Sequence, residues 1–410
     1  MKKLLGVLFA LALVVPAMAG NIFSNVETYG EIQTIGSLSE NSLGPSVRDV
    51  SNRVMFGLGM DLVEDTRANV SFLNSGYWGR GNSYAGDNVD DTFLQDTYVV
   101  EANVAISNIF GVLDAKIGRQ FYGDEDSSVV YFGPTHYRTN IMATSGDPSY
   151  AQVADSISID AAVLSYTGEN WAINAIYAKL DDAFAINDED ITFGGFDVKA
   201  NVTNNLMLQA YMYDFRDGTD PSKEKHIGFW GVKPVYMDDI FTASAEFAKN
   251  YEDQVFGYND RGWLLKADVK VNYALSSLDF APRIGYTHTE KGFGSYGNYL
   301  PGLIFSNTVG QMYRGEDALR ILNAGMDFKF AALDKFSFAL DYFAMSYTQL
   351  SGRNSHAQWL GNEFDLMAKY ALNEYVELHA GVGYMTNVGQ GFAYQNDDPY
   401  TGQLGMIIKF

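Results

Sequence analysis

The stretch from Leu264 to Tyr273 alternates between apolar and polar residues. Leu265, Ala267, Val269, Val271 and Tyr273 fall on one face, and Lys266, Asp268, Lys270 and Asn272 on the other. Such a period of two belongs to a strand with two unlike faces, because a helix would spread the charges around its circumference. Phe364, Leu366, Ala368, Tyr370 and Leu372 repeat the pattern opposite Glu363, Asp365, Met367 and Lys369. Val376, Leu378, Ala380, Val382 and Tyr384 do so opposite Glu377, His379, Gly381 and Gly383. One side of each segment is apolar enough for lipid, and the other needs water. Beyond the N-terminus no apolar run approaches the ~18 residues of a spanning helix. Lipid then leaves a single spanning structure, a closed barrel in which every backbone group is paired.

Reading the whole chain this way predicts an all-β, antiparallel up-and-down barrel of about 18 strands. The expected spans are 26–35, 53–63, 66–75, 92–104, 111–119, 156–167, 170–180, 191–202 and 206–215, then 226–236, 239–249, 261–272, 278–288, 318–330, 335–347, 359–372, 375–387 and 400–410. The connections alternate between short and long. Glu64-Asp65, Gly168-Glu169, Thr203 to Asn205, Met237-Asp238 and Asn373-Glu374 are short, whereas Gln120 to Asp155 and Thr289 to Asp317 are the longest. A soluble sandwich has no reason to shorten every second connection. A barrel with tight periplasmic turns and long outer loops does.

The ends agree with export. Lys2 and Lys3 precede an apolar run from Leu4 to Val15, then Pro16 and the small-x-small site Ala17-Met18-Ala19. This predicts a secretory signal peptide over 1–19 and a single outer-membrane barrel domain over 20–410. At the other end Leu404, Met406, Ile408 and Phe410 share one face. A terminal aromatic strand of this kind resembles the signal read by the barrel-assembly machinery, so Phe410 is the expected contact with that partner. The chain has no cysteine, so a closed hydrogen-bonded sheet must do what disulfides do in smaller exported proteins. Removing Lys2 and Lys3 with the leader leaves 26 basic against 50 acidic residues, a formal charge of −24. That excludes nucleic acid as a partner, since phosphate binding needs basic patches. The aromatic pairs Tyr77-Trp78, Phe121-Tyr122, Phe229-Trp230 and Tyr342-Phe343 lie near strand ends and are expected to form interfacial girdles.

Two motifs carry a family resemblance. Leu94-Gln95-Asp96-Thr97-Tyr98-Val99 precedes Ala115-Lys116-Ile117-Gly118-Arg119-Gln120 and Tyr122-Gly123-Asp124, and Gly361-Asn362-Glu363-Phe364-Asp365-Leu366 is followed by Tyr370. Together they resemble the alginate-export porins. The resemblance implies an 18-stranded barrel whose lumen carries Arg and Lys and passes anionic sugar polymers. It marks Gly118, Arg119 and Gln120 as motif residues. Where that family tends to carry Asp-Gly-x-Arg, this chain has Asp160-Ala161-Ala162-Val163.

Alternation turns Arg53, Lys266, Lys270, Arg283, Lys329 and Lys369 inward, along with Asp268, Asp327, Glu363 and Asp365. Facing rows of opposite charge would set a transverse field that selects solutes, with a basic lean inside. Arg138, in the longest loop, could also reach the pore. Arg119 falls with Leu113, Ala115 and Ile117 on the lipid face, where it either snorkels or is turned inward by a bulge. Acidic loop clusters at Asp87 to Asp91, Asp124 to Asp126, Asp181-Asp182, Asn187 to Asp190 and Asp397-Asp398 lack the spacing of a calcium loop and read as solvated loops, so no metal or other cofactor is expected. Among five histidines only His288-Thr289-Glu290 pairs His with a carboxylate, and no enzyme is expected. The expected function is passive diffusion of small hydrophilic or sugar-acid solutes through an outer-membrane channel set in lipid and lipopolysaccharide. A dedicated anionic-polysaccharide exporter and a structural or adhesive barrel are the alternatives.

Overall fold

The computed structural model describes residues 24–40, 47–77, 97–124, 127–133, 158–180, 191–217, 225–251, 262–290, 292–293, 302–304, 318–349, 358–386 and 398–410. The expected leader, Arg138, His136, His356, Trp78 and most of the acidic clusters lie outside these residues.

The described residues form 19 strand segments. They are β1 (Ser24–Glu40), β2 (Val47–Val63), β3 (Thr66–Tyr77), β4 (Thr97–Ile109), β5 (Leu113–Gln120), β6 (Ile159–Thr167), β7 (Trp171–Leu180), β8 (Ile191–Asn201), β9 (Leu206–Asp217) and β10 (Lys225–Met237). The remainder are β11 (Phe241–Tyr251), β12 (Trp263–Val271), β13 (Tyr273–Ala274), β14 (Leu278–Thr289), β15 (Ala318–Phe330), β16 (Phe336–Gln349), β17 (Gln358–Ala371), β18 (Val376–Thr386) and β19 (Tyr400–Lys409). β12 and β13 both pair with β14 and are two pieces of one strand broken at Asn272, so the barrel has 18 strands. Each pairs antiparallel with its sequence neighbours. β1 closes the ring on β19 from Glu31↔Lys409 to Glu40↔Tyr400. Phe410 extends the seam: Gly30 N–H donates to the Phe410 carbonyl at 2.8 Å, and Phe410 N–H donates to the Gly30 carbonyl at 3.1 Å. Closure leaves no sheet edge unpaired.

The observed strands differ from the expected spans mainly at their ends. β15 occupies 318–330 as expected, whereas β1 and β2 run longer at the long-loop end. β4 runs past the expected end at 104 to Ile109, where Asn108 and Phe110 take left-handed conformations (φ 59° and 54°) that alternation does not register, and its expected start at 92–96 lies outside the described residues.

The outward face is a continuous apolar belt. Leu404, Tyr177, Val382, Ile117 and Ile284 are all more than half exposed there. Phe364 and Leu366 are exposed on the same face, and Val269, Val271, Tyr370 and Ile408 share its parity. The expected girdles need a correction. Trp230 and Tyr342 do point outward, but Phe229 and Phe343 are buried inside the barrel, and Tyr122 lies within the lumen. Adjacent residues on a strand take opposite faces, so an aromatic pair cannot put both rings in one girdle.

Candidate functional site: the inner wall of the barrel

The inner face has two unlike zones. Toward the long loops it is apolar and packed. Phe193, Phe215, Phe229, Leu264, Ile321 and Met345 are almost fully buried in one cluster. Toward the short turns the same face carries charge. The expectation of a wet inner face along every strand therefore holds for only part of its length.

What fills the apolar zone comes from the long loops. After β5 the chain turns into the barrel, and Val129, Val130 and Phe132 pack against the wall of β8 and β9. Phe132 lies 5.5 Å from Phe193, which stacks on Phe215 at 4.5 Å, centroid to centroid. An antiparallel bridge between Tyr122 and Phe132 ties this segment to itself. Burial in the lumen raises the Tyr122 hydroxyl above the ordinary tyrosine range. A second segment, residues 302–304, enters from the loop after β14. Its Leu303 N–H donates to Asp365 Oδ2 at 2.9 Å and its Ile304 N–H donates to Glu363 Oε1 at 2.5 Å. Glu363 and Asp365, expected as free lumen charges, instead anchor this segment to β17.

The expected cations all lie on the inner face, and carboxylates meet most of them. Arg53 is buried against Glu31 at 3.1 Å. Arg283 forks onto Asp341 through Nε at 3.2 Å and Nη2 at 2.6 Å, and also reaches Asp327. Lys270 completes the network on Asp327 at 3.0 Å. It crosses β12, β14, β15 and β16, and it needs Gly325, where a Cβ would fall 2.3 Å from Asp341 Oδ1. Lys369 is 3.6 Å from Glu377 and Lys266 is 3.9 Å from Asp268, while Lys329 is exposed at the short-turn end. Nearer the turns Arg67 bridges Glu27 and Asp61, and Lys116 lies 3.6 Å from Glu101. The basic lean expected inside is offset by Glu31, Asp341 and Glu377, whose pairings alternation alone does not identify.

The motif residues serve the wall. Gly118 has φ +118°, and a Cβ there would meet the Ala102 carbonyl oxygen at 2.2 Å. Gln120 lies on the inner face by regular alternation with Lys116 and Gly118, and its amide donates to the carbonyls of Lys116, Gly118 and Ala161 at 3.0–3.2 Å. Arg119 points outward, without a bulge to turn it in. It makes a bidentate pair with its cross-strand neighbour Asp160, at 3.0 and 2.9 Å. A paired guanidinium at the strand end is what an apolar face tolerates there.

Sequence reasoning missed Asp197, Tyr211, Tyr213 and Glu246 as inward groups, although each lies on the alternation that carries Phe193, Phe215 and Ala248. Its signal was obscured because those strands are apolar on both faces. His288 lies on the outward side, with its ring 4.9 Å from Trp263. Among the described residues no group of three or more His, Asp or Glu is placed to hold a metal. Of the acidic loops, Asp124 pairs with Lys199 at 3.0 Å and Asp398 accepts from the Tyr384 hydroxyl.

No protein-family profile matches the chain, and no curated protein matches it. Solved structures do match in fold. Pseudomonas aeruginosa OccK8 (OprE) superposes with a TM-score of 0.62 at 9% identity, covering 94% of this chain and 98% of that one. Pseudomonas aeruginosa OpdQ gives 0.61 at 12% identity, over 94% and 99%. The outer membrane protein OpdK from Pseudomonas aeruginosa gives 0.61 at 9%, over 94% and 98%. At such identities the likeness is one of fold.

Proposed function

We propose that the chain is a porin-like channel of the bacterial outer membrane that passes small hydrophilic solutes by diffusion. The observation that carries this reading is the inner wall. It is an 18-stranded ring with an apolar outer belt and a charged inner face that extends to the short-turn end. Charged rows facing a lumen, narrowed by inserted segments, are what a selective diffusion pore requires. The fold shared with an outer membrane protein of Pseudomonas aeruginosa supports the same compartment, as does the expected signal peptide over 1–19. The barrel domain then spans 20–410, inserts through the assembly machinery with Phe410 as contact, and sits among lipid and lipopolysaccharide. Arg53, Lys266, Lys270, Arg283, Lys329 and Lys369 line the solute path, while Glu363 and Asp365 are buried behind it, holding residues 302–304.

The sugar-acid preference implied by the resemblance to alginate-export porins rests on those cations. Their pairing with Glu31, Asp327, Asp341 and Glu377 favours a pore of weak charge preference, and the two inserted segments favour small solutes over a polymer. Planar-bilayer recording tests the whole reading. The purified barrel is expected to give discrete ohmic steps and a small zero-current potential in a salt gradient. A sealed bilayer with correctly inserted protein would favour a structural or adhesive barrel.

A further inference from the structure

Between the inserted residues 122–124 and 127–130 and the wall of β7 to β11 lies a cavity of about 140 Å³. Three carboxylates, Asp124, Asp197 and Glu246, line it together with two lysines, Lys199 and Lys233. Most of these groups have partners. Lys199 Nζ donates to Asp124 at 3.0 Å. Asp197 accepts from Asn174 Nδ2 and from the Tyr122 hydroxyl, each at 3.3 Å. Glu246 is different. It is 4% exposed, its Oε1 accepts from the Tyr211 hydroxyl at 2.7 Å, and its Oε2 is buried with no hydrogen-bond partner among the described residues. A buried carboxylate oxygen left without a donor is costly, and folded proteins keep such atoms where something donates to them.

We propose that this cavity is a solute subsite that takes the ammonium group of a small amine-bearing solute, with Glu246 Oε2 as its principal acceptor. Within the lining carboxylates outnumber lysines by one, and Lys266, opposite Glu246 in the β11–β12 register, lies 3.9 Å from Asp268. An ammonium has three donors and can reach Glu246 and the neighbouring tyrosine oxygens together. The volume admits a head group the size of a few waters, at about 30 Å³ each. The cavity adjoins the inserted segment, so a solute threading the lumen passes it. Only that last point rests on the channel reading.

The test uses the full barrel in detergent, with ethanolammonium as probe and ethylene glycol as its uncharged counterpart, followed by calorimetry at neutral pH. Saturable ethanolammonium binding is expected, weakened about tenfold or more in Glu246→Gln, with none for ethylene glycol. Absence of saturable binding, equal affinity in Glu246→Gln, or equal binding of ethylene glycol overturns the proposal. If Glu246→Gln does not fold, Tyr211→Phe carries the test. It leaves Glu246 with both oxygens unpaired, so ethanolammonium is expected to bind more tightly, and an unchanged or weaker affinity refutes the subsite. Bilayer conductance is recorded separately. A barrel that binds the probe but passes no current refutes the channel and leaves the subsite standing. A conducting barrel that does not bind refutes the subsite alone.

Discussion

The two ends of the inner face are held by different forces. At the long-loop end Phe193, Phe215, Phe229 and Met345 join Phe132 and Ile304 in an apolar cluster, as the core of a soluble domain would. At mid-height and below, the same strands present Lys199, Lys270, Arg283 and Asp327, held in ion pairs. A barrel wall needs neither arrangement to close, since its backbone ladder already satisfies the strands. The apolar zone exists because loops fold into it. The charged zone exists because water does. The contrast predicts that substitutions in the upper zone change the inserted segments, and those in the lower zone change charge preference.

The sharpest way to break this contrast is Phe193→Ala. It removes a fully buried ring that holds both Phe215 and Phe132. A loss of about 3–5 kcal/mol is expected in urea unfolding. The freed segment at 127–133 should become protease-sensitive and single-channel conductance should rise, with ion preference unchanged. Arg283→Ala should do the reverse. It leaves Asp341 without its bidentate partner and Asp327 with Lys270 alone, at a cost of about 1 kcal/mol because water reaches the network. The zero-current potential should move toward cation preference, and adding Arg53→Ala should move it further. A reversal potential unmoved by the double variant would mean that this belt does not face the solute path.

Glu363→Gln and Asp365→Asn probe the boundary between the zones. Each weakens one carboxyl anchor of residues 302–304, expected at about 0.5–1.5 kcal/mol for an ordinary hydrogen bond. Hydrogen exchange at Leu303 and Ile304 should quicken while Phe193 and its neighbours keep their protection. Equal exchange in the variants would show that apolar packing alone holds the segment. The smallest effect is expected outside both zones, at Asp238 in a short turn. Its carboxylate accepts from Phe241 and Ile240 N–H at 2.6 and 2.9 Å, and these bonds hold its carboxyl below the usual 3.8. A depressed pKa stabilises above the unfolded value and is lost as pH falls through the folded one. Asp238→Ala should therefore lower the unfolding midpoint slightly at neutral pH and match the native chain in strong acid.

The period of two was readable wherever the two faces differ in polarity. Leu264 to Val271 and Phe364 to Lys369 are such segments, and the inner cations were placed from them. It was not readable where both faces are apolar. In β16 Phe338, Leu340 and Tyr342 point out while Phe343 and Met345 point in, and hydrophobicity cannot separate them. Bulges added a second obstacle. The register shift near Gly361 (φ +150°) brings Leu360 to the inside and leaves Trp359 outside, so alternation counted upward from Glu363 fails there.

A chain of apolar-polar alternation, with no spanning helix and short turns at every second connection, determined by itself that the sheet closes and which side faces lipid. Lipid leaves no other way to pair the backbone. Partnership across strands was decided only by the tertiary structure. Arg283 and Asp341 are 58 residues apart, and Glu363 meets Ile304 across 59. A slip of two residues between neighbouring strands would keep every side chain on its face and change all of these partners. Register is set by closure of the whole ring and by the loops that pack inside it, and no single strand's sequence carries either.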